Sequence, residues 1–309
     1  MKIFMMKSLV AIATIAVLTS CNKEKSLILQ DSNVINVTAH VNSLTKAGYE
    51  GTSNLPETFC MDISQGADAK YDYSLVEMTR NQSGNGYTAS TEMVWAEEDH
   101  SSVSVKAMTV PYGLTSIDKE NPMTVNVSLE QDVEENLVAS DLLGSATGNG
   151  VTISGNTIAI GFNHLLTKLE VTYEFGAGFE SGQVTVNSMS LHNVCIRGGY
   201  SYASMSIASG VSLGYGDVEM YHDSASSKAE AIFFPYMPSE NPTLQINATA
   251  GSTEYNLSCP VAVKDGNGFV GGKRYKMKVT IVGSNISETT ASIARGWDVN
   301  TDEQSFVTE

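Results

Sequence analysis

Cys21 is the side chain whose setting points most directly to chemistry. It closes Leu18-Thr19-Ser20-Cys21 behind an apolar run from Ser8 to Leu18, about ten residues long, with Lys2 and Lys7 supplying positive charge. That order is the pattern of a bacterial lipoprotein signal, in which small residues precede the thiol that is lipidated after cleavage. The run is too short for a membrane span, which needs about 20 residues. Residues 1–20 are therefore expected to be a signal peptide, and the mature chain is expected to be exported and tied to a membrane by acyl chains, palmitate among them, on Cys21. Only Cys60, Cys195 and Cys259 then remain. Three thiols cannot all pair, so a disulfide framework does not hold this fold, although one pair could oxidise outside the cytoplasm.

Other reactive side chains form no pattern. The chain has no Gly-x-Ser-x-Gly elbow, no His-Glu-x-x-His zinc motif and no phosphate loop. His40, His100, His164, His192 and His222 fall one to a segment, which reads as structural or solvated imidazoles. Glu97-Glu98-Asp99-His100 is read as a turn of solvated carboxylates in preference to a cation site. Asp265-Gly266-Asn267-Gly268 lacks the later bidentate Glu of a calcium loop and reads as a hairpin turn. No enzyme activity, metal or cofactor is expected. The net charge of −16 repels nucleic-acid phosphates and anionic surfaces alike, so the lipid must do the anchoring.

The elements that carry these residues are strands. Apolar residues recur at every second position in Ile35-Val37-Ala39-Val41, Val103-Val105-Ala107, Val125-Val127-Leu129, Leu169-Val171-Tyr173-Phe175, Leu244-Ile246-Ala248 and Tyr275-Met277-Val279-Ile281. Period two marks half-buried strands, so Lys168, Glu170, Thr172 and Glu174 are expected on a wet face. Turn clusters separate the strands at Ser83-Gly84-Asn85-Gly86 and Gly148-Asn149-Gly150. Val133, Leu137 and Asp141 to Leu143 fit one short helix. Many short strands with little helix mean β-sandwich, and one sandwich holds about 100 residues, so 309 residues predict two in tandem. The junction is expected near Gly155 to Gly161, giving an N-terminal domain over 21–160 and a C-terminal domain over 161–309.

These motifs, in this order, resemble the fimbrillin family, the lipoprotein pilins of Bacteroidetes. Leu44-Thr45-Lys46-Ala47 after the first strand is similar to the family's Thr-Arg-Ala or Thr-Lys-Ala. Trp95, the strand Val103 to Ala107 and Val110-Pro111-Tyr112 look like its Trp, strand and Pro-Tyr succession. Ser140-Asp141-Leu142-Leu143 resembles its Asp-Leu-Leu stretch, and Phe162-Asn163-His164 with Leu169 its Phe-x-His-x-x-x-x-Leu segment. Phe234-Pro235, Gly272-Lys273-Arg274-Tyr275 and Ile293 to Trp297 complete the order.

The resemblance implies two transthyretin-like β-sandwich domains and assembly into a fimbria at the cell outer membrane. The implied partners are other pilin subunits, the outer membrane through the lipid, and an extracellular trypsin-like maturation protease. Carried onto this chain, that protease cuts between Lys46 and Ala47 and removes a strand within about 34–46, whose inward residues are Ile35, Val37, Ala39 and Val41. The groove then takes a strand from another subunit, which satisfies its open backbone groups and apolar pockets. Lys46 departs from the arginine of well-known members, and an arginine-specific protease would read it poorly. The donor is expected after Arg295, where only Ser305 to Thr308 look strand-like. The alternative is a non-polymerising surface lipoprotein that binds glycan or host protein, for which Tyr200, Tyr202, Tyr215 and Tyr221 are the candidate stacking run.

Overall fold

The computed structural model describes residues 33–42, 49, 51–66, 69–176, 184–263, 268–282, 285–286 and 290–294. It is all-β. The first nine strands are β1 (Asn36–Val41), β2 (Thr58–Ser64), β3 (Tyr73–Arg80), β4 (Gly86–Ala89), β5 (Ser104–Met108), β6 (Met123–Asn126), β7 (Leu143–Thr147), β8 (Gly150–Ser154) and β9 (Thr157–His164). They are followed by β10 (Thr167–Phe175), β11 (Val184–Ser201), β12 (Ser206–Ile207), β13 (Gly214–Glu219), β14 (Tyr221–Asp223) and β15 (Lys228–Phe233). The chain then runs through β16 (Thr243–Ala250), β17 (Thr253–Pro260), β18 (Ala262–Val263), β19 (Arg274–Val282), β20 (Asn285–Ile286) and β21 (Thr290–Ala294). Among the described residues the one α-helix is α1 (Glu134–Ala139), and no helix is long and apolar enough to cross a membrane.

Eight strands close a barrel in the order β1-β4-β3-β2-β5-β7-β8-β9, with β7 also pairing β9. Its core is lined by Phe59, Met61, Ile158, Ile160 and Phe162 together with the inward residues of β1. Two further sheets, β14-β15-β10-β19-β21-β18 and β12-β11-β16-β17, share a second core around Leu169, Val171, Leu191, Ile246 and Val279. β6 leaves the barrel path and pairs with β11, from Met123 opposite Tyr200 to Asn126 opposite Arg197. Leu137 of α1 packs into that same second core. The Gly155 to Gly161 stretch forms the turn from β8 and the first part of β9, and β10 starts directly after β9.

The predicted strands form, with three corrections. Leu129 is half-exposed rather than core, because β6 ends at Asn126 and the buried positions beyond it are Val127, Ser128 and Gln131, which break the alternation. Val133 is also half-exposed, at the N-cap of α1, and the helix ends at Ala139. Of the predicted helical residues Leu137 alone is helical and buried, while Asp141 and Leu142 follow the helix and Leu143 begins β7. The third concerns β10, where Lys168 and Glu170 are buried at 0% and 4% exposure. β10 lies between β15 and β19, so cross-strand neighbours cover its charged face as well as its apolar one.

Candidate functional site

β1 is held as an inserted strand. On one side it runs parallel to β9 in continuous register, from Asn36 opposite Thr157 to Val41 opposite Phe162. On the other side its antiparallel partner is made of separate pieces of chain. Ile35 N donates to Met93 O at 2.9 Å, Val37 faces Tyr87, Ala39 N donates to Asn85 O at 2.9 Å and Val41 N to Gly51 O at 2.8 Å. Asn42 Nδ2 adds a bond to Asn163 Oδ1 at 3.2 Å just past the strand. Gly161 lies opposite His40, and a Cβ there would stand 2.9 Å from His40 Nε2 and from Gly150 O. A bare backbone at 161 is therefore part of how β1 seats.

Alternation gives β1 its burial. Ile35, Val37, Ala39 and Val41 are 6%, 3%, 0% and 3% exposed, while Asn36 and His40 face water. The pocket floor is aromatic: Phe59 meets Phe162 and Tyr87 edge to face at 5.1 and 4.8 Å. The Tyr87 hydroxyl donates to Pro56 O at 2.6 Å, and burial pushes it well above the ordinary phenol range. Burying three branched side chains contributes roughly 1.5–3 kcal/mol each, an upper estimate because unfolded chains already hide some surface. Most of the holding energy is therefore on the inward face, and the interrupted β4-side ladder adds less.

The N-terminal end of β1 has its own clamp. Met93 to Trp95 lies antiparallel to Asn33–Ile35, with Trp95 N donating to Asn33 O at 2.9 Å. A buried glutamine and a partly buried tyrosine fix that segment in place. Gln65 gives Nε2 to Val94 O at 2.9 Å and takes Ala96 N on Oε1 at 2.8 Å, while Tyr73 Oη accepts from Val94 N at 2.8 Å. Trp95 is buried and stacks on His100 at 3.8 Å. Gln65→Leu should strand these backbone groups at a cost of about 1–3 kcal/mol. Hydrogen exchange should then speed up at the Ile35 amide while the Ala39 amide stays protected. Unchanged exchange at Ile35 would show that Gln65 does not hold the strand.

Both ends of the predicted processing machinery fall outside the described residues: Cys21, Lys46 and Ala47, and the donor segment after Arg295. The strand expected to be removed is described as β1, and all four of its inward residues point into one core. Where the chain re-emerges, Tyr49 lines a cleft of about 420 Å³ with Leu55, Pro111, Tyr112 and Val138. Burial, with Asp141 and Glu57 nearby, pushes the Tyr49 hydroxyl to about 12.

The stacking run does not assemble. Tyr200 and Tyr202 are core residues at 2% and 1% exposure, and Tyr202 Oη donates to Lys106 O at 3.3 Å. Of the four, Tyr215 is half-exposed and Tyr221 partly buried. His164, His222 and His192 are in structural settings. His164 Nδ1 meets buried Asp141 at 2.9 Å, and His222 Nε2 meets Tyr173 Oη at 2.8 Å. His192 bridges Asp217 at 2.9 Å and Ser190 at 3.1 Å. That relay order was not read from sequence, since Ser190 and His192 face Asp217 only through the β11–β13 pairing. Asp217 also accepts from Asn193 N at 3.0 Å, where φ is +61°, so the relay pins the β11 bulge. Cys60, Cys195 and Cys259 are free thiols, each pushed upward by burial. Among the described residues no group of three or more metal-binding side chains comes together.

No curated protein matches the chain. The solved structures similar to it in fold include two from Bacteroides. One is a candidate cell adhesion protein of Bacteroides ovatus, with TM-score 0.62 and 14% identity, covering 87% of this chain and 99% of that one. The other is a candidate cell adhesion protein of Bacteroides uniformis, with TM-score 0.58 and 16% identity, covering 86% of this chain and 98% of that one. The Fimbrillin-like family matches over residues 23–297, nearly the whole length, and the chain belongs to that family.

Proposed function

We propose that this protein is a structural or adhesive pilus subunit, exported as a lipoprotein acylated on Cys21 and assembled at the cell surface by strand exchange. The observation that carries the reading is β1: a strand with a fully apolar inward face, bonded to an interrupted partner on one side and leading into the 43–48 segment that contains Lys46. Cleavage at Lys46-Ala47 by a trypsin-like protease releases the covalent tie on that strand. Its groove then receives a strand from another subunit, and the donor regains both the burial and the ladder bonds. Until cleavage, β1 occupies the groove and prevents premature polymerisation. The barrel with its following strand pair of sheets is assigned as two tandem transthyretin-like units meeting after β9, with β6 lent by the first to the second. The protein acts through surfaces and strands, and no catalytic role is assigned to it.

The test compares trypsin-cut protein with Lys46→Gln. Cut protein mixed with a partner pilin should form ladders that resist SDS, and Lys46→Gln should stay monomeric under the same conditions. In cells, an alkyne fatty acid should label the wild type in the outer membrane fraction and fail to label Cys21→Ala. Equal behaviour of cut protein and Lys46→Gln would favour the non-polymerising surface lipoprotein, and a labelled Cys21→Ala would refute lipidation at that residue.

A further inference from the structure

The covered charged face of β10 sets a primary amine against a carboxyl inside the protein. Lys168 Nζ lies 2.9 Å from Glu230 Oε2, with side-chain exposures of 0% and 7%. The two groups are therefore in direct contact, with the amine nitrogen against a carboxyl oxygen. Glu230 on β15 stands directly across the antiparallel register from Glu170 on β10, and Lys168 is the diagonal neighbour. Two carboxylates opposite one another on a buried face repel, so full ionisation of both is unfavourable. Burial raises the Glu230 carboxyl above the ordinary range, with Glu170 adding to the rise and Lys168 opposing it. Glu170 is served by other cations: Lys228, Arg274 and Lys276 stand 3.6, 3.7 and 3.9 Å from it.

We propose that Lys168 Nζ and Glu230 Cδ become joined by an isopeptide bond after folding, with Glu170 as the proton relay. Proton transfer from the ammonium to the carboxylate gives an amine and a carboxylic acid. The Nζ lone pair adds to Cδ, Glu170 takes the proton released from nitrogen and returns it to the departing hydroxyl, and the Cδ–O bond breaks. One amide and one water result from one ammonium and one carboxylate, with no other reactant. Three physical features favour the step. The pair is held at contact distance by a formed sheet, which removes the entropic cost of bringing the groups together. The site is shielded from the water that would reverse the reaction. Condensation also removes two charges from the interior, where an ion pair repays its desolvation poorly. The bond would tie β10 to β15 and close the chain from 168 to 230 into a covalent ring. It stands independently of the assembly reading.

Peptide mapping of the purified full chain by tandem mass spectrometry tests it. The wild type should yield a branched peptide containing Lys168 and Glu230, lighter than the two linear peptides together by one water, and trypsin should not cut after Lys168. Lys168→Arg should yield linear peptides only. Glu170→Gln keeps both bond partners and should lower the crosslinked fraction at least about tenfold, since a positioned acid–base group contributes about 10²–10⁴ in rate. Linear peptides from wild type, with normal cleavage after Lys168, would overturn the proposal. A fully crosslinked Glu170→Gln would overturn the relay assignment.

Discussion

A chain that begins at Ala47 will lose most of its stability as a monomer and regain it when a peptide spanning residues 33–42 is added. Truncation strips Ile35, Val37 and Val41 from the barrel core, each worth roughly 1.5–3 kcal/mol of burial. Their sum is comparable with the whole stability of an ordinary domain, about 5–15 kcal/mol. It also leaves the β9 edge from Thr157 to Phe162 without its partner, and the backbone of Asn85, Tyr87, Met93 and Gly51 open on the other side. The truncated protein should therefore bind a hydrophobic dye and self-associate. The peptide should suppress both effects and raise Tm in a concentration-dependent way, as expected of a ligand that binds the folded state alone. Because β1 is parallel to β9, any replacement strand must enter in that direction to place alternate side chains in the same pockets. A peptide carrying Ala39→Asp should fail, since Ala39 is fully enclosed. A truncated chain that melts like the full one and ignores the peptide would remove the groove from the account.

What could be read from the sequence follows from what each strand does with its second face. β1 alternates cleanly because one side is wet, so its inward residues were legible from spacing alone. In β10 the same alternation located Leu169, Val171 and Tyr173 but placed Lys168 and Glu170 on a wet face, because their cover comes from β15 and β19 far along the chain. The Gln65 and Tyr73 clamp was silent for a related reason. A glutamine and a tyrosine that bond backbone 21 to 31 residues away leave no local pattern. The tyrosine run was misleading because position in sequence does not fix which side of β11 and its turn each ring takes. Tyr200 and Tyr202 turn inward and Tyr215 outward. The crossing of β6 to β11 is topological, and period two carries no information on partners.

Val171→Asp will unfold the second core, whereas Thr172→Asp one residue along the same strand will be tolerated. Val171 is fully buried between Ala229 on β15 and Met277 on β19. The substitution forfeits the valine burial, about 1.5–3 kcal/mol, and adds a carboxyl with no partner among apolar neighbours. Together these exceed about 4 kcal/mol, a loss seen only when a core takes an unpaired polar group. For units of this size each kcal/mol moves Tm by about 2–4 °C, so a fall of at least about 8 °C is expected. Thr172 points to the opposite face, and its register partners are Lys228 and Lys278, which can pair with a new carboxylate. Its variant should melt within about 0.5–1 kcal/mol of wild type. The sign of the pH dependence separates a buried charge from simple loss of volume. A carboxyl raised in the folded state is destabilising above its folded value, and that penalty shrinks as pH falls toward the unfolded value of ~3.9. The gap in Tm between Val171→Asp and wild type should therefore narrow on acidification, while the gap for Val171→Ala should not. If Val171→Asp melted with the wild type at neutral pH, β10 would not be the centre of this sheet.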